Sequence, residues 1–245
     1  MSDGSLENHR RLGGVRALEP DARGERPSPG DRQVTPGKVA APTKEVLAFL
    51  AKAYPGARVL LDYRNPFELL VATVLAAQCT DERVNTVTPA LFRAWPGPSA
   101  LAKASQEEIE EAVRSTGFYR NKARAIRDLS AVLVERHDGR VPRTMEELTA
   151  LPGVGRKTAS ILLGACFGLP ALPVDTHVGR VSFRIGWTAS KDPVRIEEDL
   201  AGAIPPGKGW EFATRLGWHG RQVCVARKPR CPECGLAAVC PKRGV

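Results

Sequence analysis

The chain has 245 residues, long enough to bury a sizeable core without disulfides, and it contains no apolar run approaching the roughly 18 residues of a membrane span. The formal charge of +9 makes a polyanion the expected partner, and an N-terminus without an apolar core, with six acidic residues in its first 43, argues against secretion or organelle import. Residues 215–245 hold seven Lys/Arg and one acidic residue, so six of the nine excess positive charges lie in that segment, beside four of the six cysteines.

Residues 1–41 are rich in Gly, Pro and Arg and lack any apolar period, so a disordered tail is expected there. From Thr43 the pattern changes to amphipathic helices. Val46, Leu47, Leu50 and Ala51 open the first. Asn65-Pro66 starts a second, because proline at the first helical position needs no backbone donor. There Phe67, Leu70, Val71, Val74 and Leu75 line one apolar face. Asp81 is the expected cap of a third, running to about Trp95. Ser105 with Glu108, and Thr144 with Glu147, read as capping boxes. Between them Tyr119 to His137 makes a long helix with Ile126, Leu129, Val132 and Leu133 inward. Further helices are expected near 154–167, 174–186, 193–203 and 209–219. Strand-like alternation is nearly absent, so the fold class is all-α.

Leu151-Pro152-Gly153-Val154-Gly155-Arg156-Lys157 joins two predicted helices. Gly153 and Gly155 allow tight backbone conformations and leave no side chain to block a ligand. The turn's amides, with the next helix N-terminus, can meet a phosphate, and Arg156-Lys157 strengthens that reading over a plain helix–helix turn. Cys224, Cys231, Cys234 and Cys240 form C-x6-C-x2-C-x5-C, four thiols within 17 residues. A structural zinc, an iron–sulfur cluster and disulfides are the candidate uses. Cys166 on an apolar helix reads as core, and Cys79 has no assigned chemistry.

Leu-Pro-Gly-Val-Gly-Arg-Lys-Thr-Ala, followed by Val174-Asp175-Thr176-His177 and the four-cysteine spacing, resembles the endonuclease III family of helix–hairpin–helix DNA glycosylases. The resemblance spans most of residues 45–241. It implies two helical lobes with the active-site cleft between them. One is a bundle over 59–169 carrying the hairpin; the other combines 42–58 with 170–245 and holds a 4Fe–4S cluster on Cys224, Cys231, Cys234 and Cys240. It implies a glycosylase and AP lyase acting on oxidised pyrimidines in damaged duplex DNA, with Lys157 as nucleophile and Asp175 as catalytic carboxylate. Gln78 would plug the space left by the flipped base and Phe118 would take the wedge position, where leucine is common. Gly153, Gly155 and Arg156, with Arg227, Lys228 and Arg230 of the cysteine loop, would contact phosphates. Arg120, Lys122, Arg124 and Arg127 could add to them, and His177 takes a secondary place near the site. A monomer in the cytoplasm, nucleoid-associated if bacterial, is the expected form.

Three alternatives stay open. Related adenine-mispair glycosylases typically lack a lysine at the position of Lys157 and carry a further C-terminal domain; this sequence has the lysine and ends five residues after Cys240. A pyrimidine-dimer glycosylase/lyase shares the motifs. A non-catalytic helix–hairpin–helix DNA-binding module would not need Lys157 and Asp175 together.

Overall fold

The computed structural model describes residues 40–245. These form eleven α-helices and two single-turn 3-10 segments, with no strand among the described residues. In chain order the helices are α1 (Thr43–Ala53), α2 (Pro66–Leu75), α3 (Asp81–Ala94), α4 (Pro98–Lys103), α5 (Gln106–Val113), α6 (Tyr119–His137), α7 (Met145–Thr149), α8 (Arg156–Phe167), α9 (Thr176–Arg184), α10 (Pro193–Ala203) and α11 (Gly209–Gln222). The expected tail lies outside the described residues up to residue 39. Its last member, Ala41, is buried, and its amide donates to the Ile185 carbonyl at 2.9 Å.

The helix starts follow from local chemistry. Asn65 accepts the Glu68 amide and Pro66 takes the first helical position. Ser105 and Glu108 close a reciprocal box. Thr144 caps α7 by accepting the Glu147 amide, while the Glu147 carboxylate takes the Thr144 hydroxyl instead of the cap amide. At α3 the cap is Thr80 rather than Asp81: its hydroxyl accepts the Arg83 amide at 3.2 Å. Asp81 becomes the first helical residue, where its charge faces the positive end of the helix.

Two hydrophobic cores organise the chain. The larger runs from Leu61 to Leu163 and is centred on α2. That helix is buried on every side, Leu69 and Ala72 included, because α3, α6 and α8 pack around it. The one-faced pattern expected for it therefore understates its burial. Even Glu68 is buried there, its carboxylate gripped by the Arg64 guanidinium at 2.6 and 2.9 Å and by the Arg64 amide at 2.7 Å. The smaller core joins α1 to α9, α10, α11 and Leu236. Polar ties close it across long sequence separations. Trp187 Nε1 donates to the Ala41 carbonyl at 2.8 Å, and Tyr54 Oη stands 2.9 Å from His219 Nδ1. Burial pushes His219 down to about 4, so the ring stays neutral.

The cores meet where α8 crosses the start of α11. A Cβ on Gly164 would stand 2.2 Å from the Trp210 ring, so only glycine lets the indole lie against the α8 backbone.

Candidate active site and thiol centre

The α7–α8 turn sets the first wall of a cleft between the cores. Leu151 and Val154 are buried and anchor it. Gly153 has φ +74°, and a Cβ there would come within 2.9 Å of the Ala125 methyl, so both conformation and space require glycine. Gly155 differs: its backbone is extended and a Cβ would meet nothing. Its lack of a side chain leaves open the approach to the first α8 amides, which have no intrahelical partner. Lys157 is the second residue of α8 and is exposed.

Asp175 stands on the second wall as the N-cap of α9. Its Oδ1 accepts the Val178 amide at 2.7 Å, and its Oδ2 lies 3.8 Å from Arg221 Nη2 of α11. Lys157, Asp175 and Gln78 line one cavity of about 310 Å³, together with Thr73, Trp218 and Arg221. A wider groove of about 930 Å³ also touches Lys157 and Asp175 and continues past His177, Arg180 and Phe183. The His177 ring lies 3.2 Å from Arg180 Nη2. Burial lowers its pKa, and the charge of Asp175 opposes that shift. Arg180 also donates to the carbonyls of Gly220 at 2.8 Å and Cys224 at 3.1 Å, which ties the groove wall to the cysteine loop.

The remaining surface residues divide. Gln78 and Phe118 are exposed, and both hold left-handed backbone conformations, φ +54° and +48°. Phe118 is 64% exposed, which excludes a core aromatic, and it lies outside the two cleft cavities. Arg156 does not point freely outward: its guanidinium makes a two-pronged pair with Glu197 of α10, at 2.7 and 3.0 Å. Lys122 is no phosphate contact. It is buried, and its ammonium donates to the Thr116 carbonyl at 2.6 Å, bracing the loop that carries Phe118. Burial lowers its pKa. Arg127 is engaged by Asp128 at 3.2 Å, while Arg120 and Arg124 are exposed.

The four C-terminal cysteines carry free thiols and line one cavity under α9 and α11, walled by Val181, Ile185 and Leu236. Three of their sulfurs sit 3.4 Å from N–H donors: Cys224 from Arg184 Nη1, Cys234 from the Leu236 amide and Cys240 from the Lys242 amide. Among the described residues, no three His, Cys, Asp or Glu side chains close in as tightly as a single metal ion requires. The Arg230 amide donates to the Val223 carbonyl at 3.0 Å and closes the loop holding Arg227, Lys228 and Arg230, all exposed. Cys166 and Cys79 pack against the larger core, and burial pushes the Cys166 thiol up to about 11.

Residues 71–206 match the HhH-GPD superfamily of base excision DNA repair proteins. Endonuclease III from a Synechocystis species is 54% identical over 198 residues, covering 80% of this chain and 90% of the relative. The chain belongs to the endonuclease III family. It is accordingly a base excision repair enzyme, a DNA glycosylase and AP lyase. A solved endonuclease III in non-covalent complex with DNA is 44% identical and superposes with a TM-score of 0.78, covering 81% of this chain and 94% of that one. A trapped covalent endonuclease III–DNA intermediate is also 44% identical, with a TM-score of 0.77 over 82% and 96% of the two chains.

Within this endonuclease III fold, sequence reasoning missed Arg221, Trp218 and Glu197. Arg221 and Trp218 face the cleft from α11, and Glu197 reaches Arg156 from α10. None belongs to a local motif; only the tertiary fold brings them to the site.

Proposed function

We propose that the enzyme removes oxidised pyrimidines from duplex DNA and then cleaves the strand through a Schiff base on Lys157. The observation that carries this reading is that Lys157 and Asp175 line one cavity from opposite cores, each at a helix N-terminus. Loss of the base leaves positive charge at C1′, which the Asp175 carboxylate offsets from close range. The Lys157 amine attacks C1′ through its nitrogen lone pair and forms a C–N bond, and the proton it gives up passes to a base such as Asp175. The nitrogen lone pair then forms C=N as the C1′–O4′ bond breaks and O4′ takes up a proton, and the resulting open-chain iminium acidifies C2′. Loss of the C2′ proton then expels the 3′ phosphate by β-elimination. Arg221, beside Asp175 Oδ2, supplies a cation other than the nucleophile to face that carboxylate.

Duplex opening falls to Gln78, which lines the cavity and would fill the vacated stack, and to exposed Phe118, which would wedge the opposite strand. The Gly153 and Gly155 turn, the first α8 amides and the Arg227, Lys228 and Arg230 loop would contact phosphates. Arg156 would first have to exchange Glu197 for DNA. His177 would help hold the groove wall beside Asp175. The two cores correspond to a lobe over 59–169 and a lobe over 42–58 with 170–245. The enzyme works as a monomer, and its bacterial relatives support a cytoplasmic, nucleoid-associated site of action.

The thiols fit a 4Fe–4S cluster. They surround a shared, mainly apolar space, and N–H donors face three sulfurs, as cluster ligands favour. A single zinc, with Zn–S bonds of about 2.3 Å, would draw four thiolates around one point. When bound, the cluster would cross-link the loop and present its basic patch.

A panel of oligonucleotides tests the substrate class: thymine glycol, a cyclobutane dimer, an abasic site and adenine opposite 8-oxoguanine. Excision of thymine glycol with borohydride trapping is expected, and Lys157→Ala should abolish trapping. Trapping by that variant at the wild-type level overturns the nucleophile assignment, and preference for the dimer or the mispaired adenine overturns the substrate class.

A further inference from the structure

Tyr54 and His219 are 165 positions apart, yet their side chains form one buried chain that ends on a cysteine. Tyr54 Oη lies 2.9 Å from His219 Nδ1, and His219 Nε2 lies 3.6 Å from Cys234 Sγ. His219 is 1% exposed. Phe49 packs edge-on against its ring at 5.5 Å and against Tyr54 at 6.4 Å, which leaves the imidazole little freedom to turn.

The direction of the chain follows from valence. A neutral imidazole has one N–H donor and one acceptor nitrogen. A cysteine sulfur bound to iron has no proton and can only accept. Nε2 must then carry the hydrogen, and Nδ1 must accept the Tyr54 O–H. The phenol thereby selects the tautomer that donates to sulfur, as outer partners do for metal-bound ligands. The Leu236 amide already donates to the same sulfur at 3.4 Å, so Cys234 receives two donors. Packing alone does not call for this arrangement: a phenylalanine at 219 would fill the site and need no partner.

We infer that Tyr54 and His219 form a relay that positions the Cys234 sulfur and tunes the metal centre. Tyr54 orients the ring, and His219 Nε2–H stabilises negative charge on the sulfur. This rests on the iron–sulfur reading above. A donor aimed at a ligand sulfur favours the more negative, reduced centre and weakens the drive to release the thiolate. The relay also gives α1 a function beyond filling the smaller core, because its last turn leads into Tyr54.

The test uses the full chain purified anaerobically with its metal, as wild type, His219→Met, His219→Gln and Tyr54→Phe. Iron content, the potential of the centre on an electrode and the rate of iron release to a chelator are measured for each. His219→Met should shift the potential downward and speed release about tenfold or more, the scale at which outer-shell partners are felt. His219→Gln can return an N–H toward the sulfur and should restore most of both values. Tyr54→Phe keeps the ring packing but loses tautomer selection, and should shift both readouts in the same direction by less. Tyr54→Phe and His219→Gln keep the question answerable if His219→Met does not fold. If iron-loaded variants match the wild type in potential and release, the relay is overturned and the iron–sulfur reading stands. A wild-type protein without iron overturns both.

Discussion

The two cores that form the cleft are held by different means. The larger is continuous in sequence, from Leu61 to Leu163, and closes by apolar packing around a helix buried on all sides. The smaller is assembled from α1 and the C-terminal third, and polar ties span it: Trp187 to Ala41, Trp218 to Arg58 and Tyr54 to His219. Its edge carries four free thiols around one cavity. Lys157 stands on the self-sufficient core and Asp175 on the stitched one. The spacing of the two therefore depends on the smaller core staying in register with the larger.

The sharpest way to break this comparison is to remove a thiol. Cys240→Ala should leave amide-exchange protection in α2 and α6 near the wild-type level and strip much of it from α9 and α11. Excision should fall below detection as Asp175 loses its support. Equal loss of protection in both cores would make the thiol centre a support for the whole molecule rather than for one half.

A smaller lesion compares the cores by packing alone. Leu129 and Leu200 are both fully buried, one in each core. Truncation to alanine should cost about 2–5 kcal/mol in either case, the range for buried leucines. Within that range Leu129→Ala should cost more, since the larger core surrounds the site with more buried apolar side chains. Urea midpoints of the two variants measure the difference. A larger cost at Leu200 would reverse the ranking of the cores.

The same contrast governs what the sequence reveals. The larger core was legible because its signals are local: the apolar period of Ile126, Leu129 and Leu133, the Ser105 box and the Asn65-Pro66 start. Local chemistry misled by one residue at Thr80, where two oxygen-bearing side chains compete for one cap, gave Thr144 only half of its expected box and left the short helix α4 unread. The hairpin, the aspartate and the cysteine spacing were legible because each is a short motif. The pairing of Arg221 with Asp175, of Glu197 with Arg156 and of Tyr54 with His219 was not. Each joins separate helices and leaves no trace in local spacing. The burial of Lys122 was hidden for a related reason: the carbonyl it satisfies belongs to a loop whose path the sequence does not specify.

Asp175 offers the finest test, because helix cap and catalytic carboxylate are both available to it. Its two oxygens have separate neighbours: Oδ1 takes the Val178 amide, and Oδ2 faces Arg221 and the cleft. Asparagine caps a helix about as well as aspartate, whereas alanine cannot cap at all. Asp175→Asn should thus stay close to wild type in its urea midpoint, and Asp175→Ala should lose about 1 kcal/mol. On the proposed mechanism both should lose single-turnover base excision, because neither would leave a negative charge to face C1′. The pair separates the two roles cleanly. Equal destabilisation by Asn and Ala would mean that the charge, rather than the capping geometry, holds α9. Wild-type excision by Asp175→Asn would mean that the carboxylate serves the fold alone, and the second wall of the cleft would then contribute shape without chemistry.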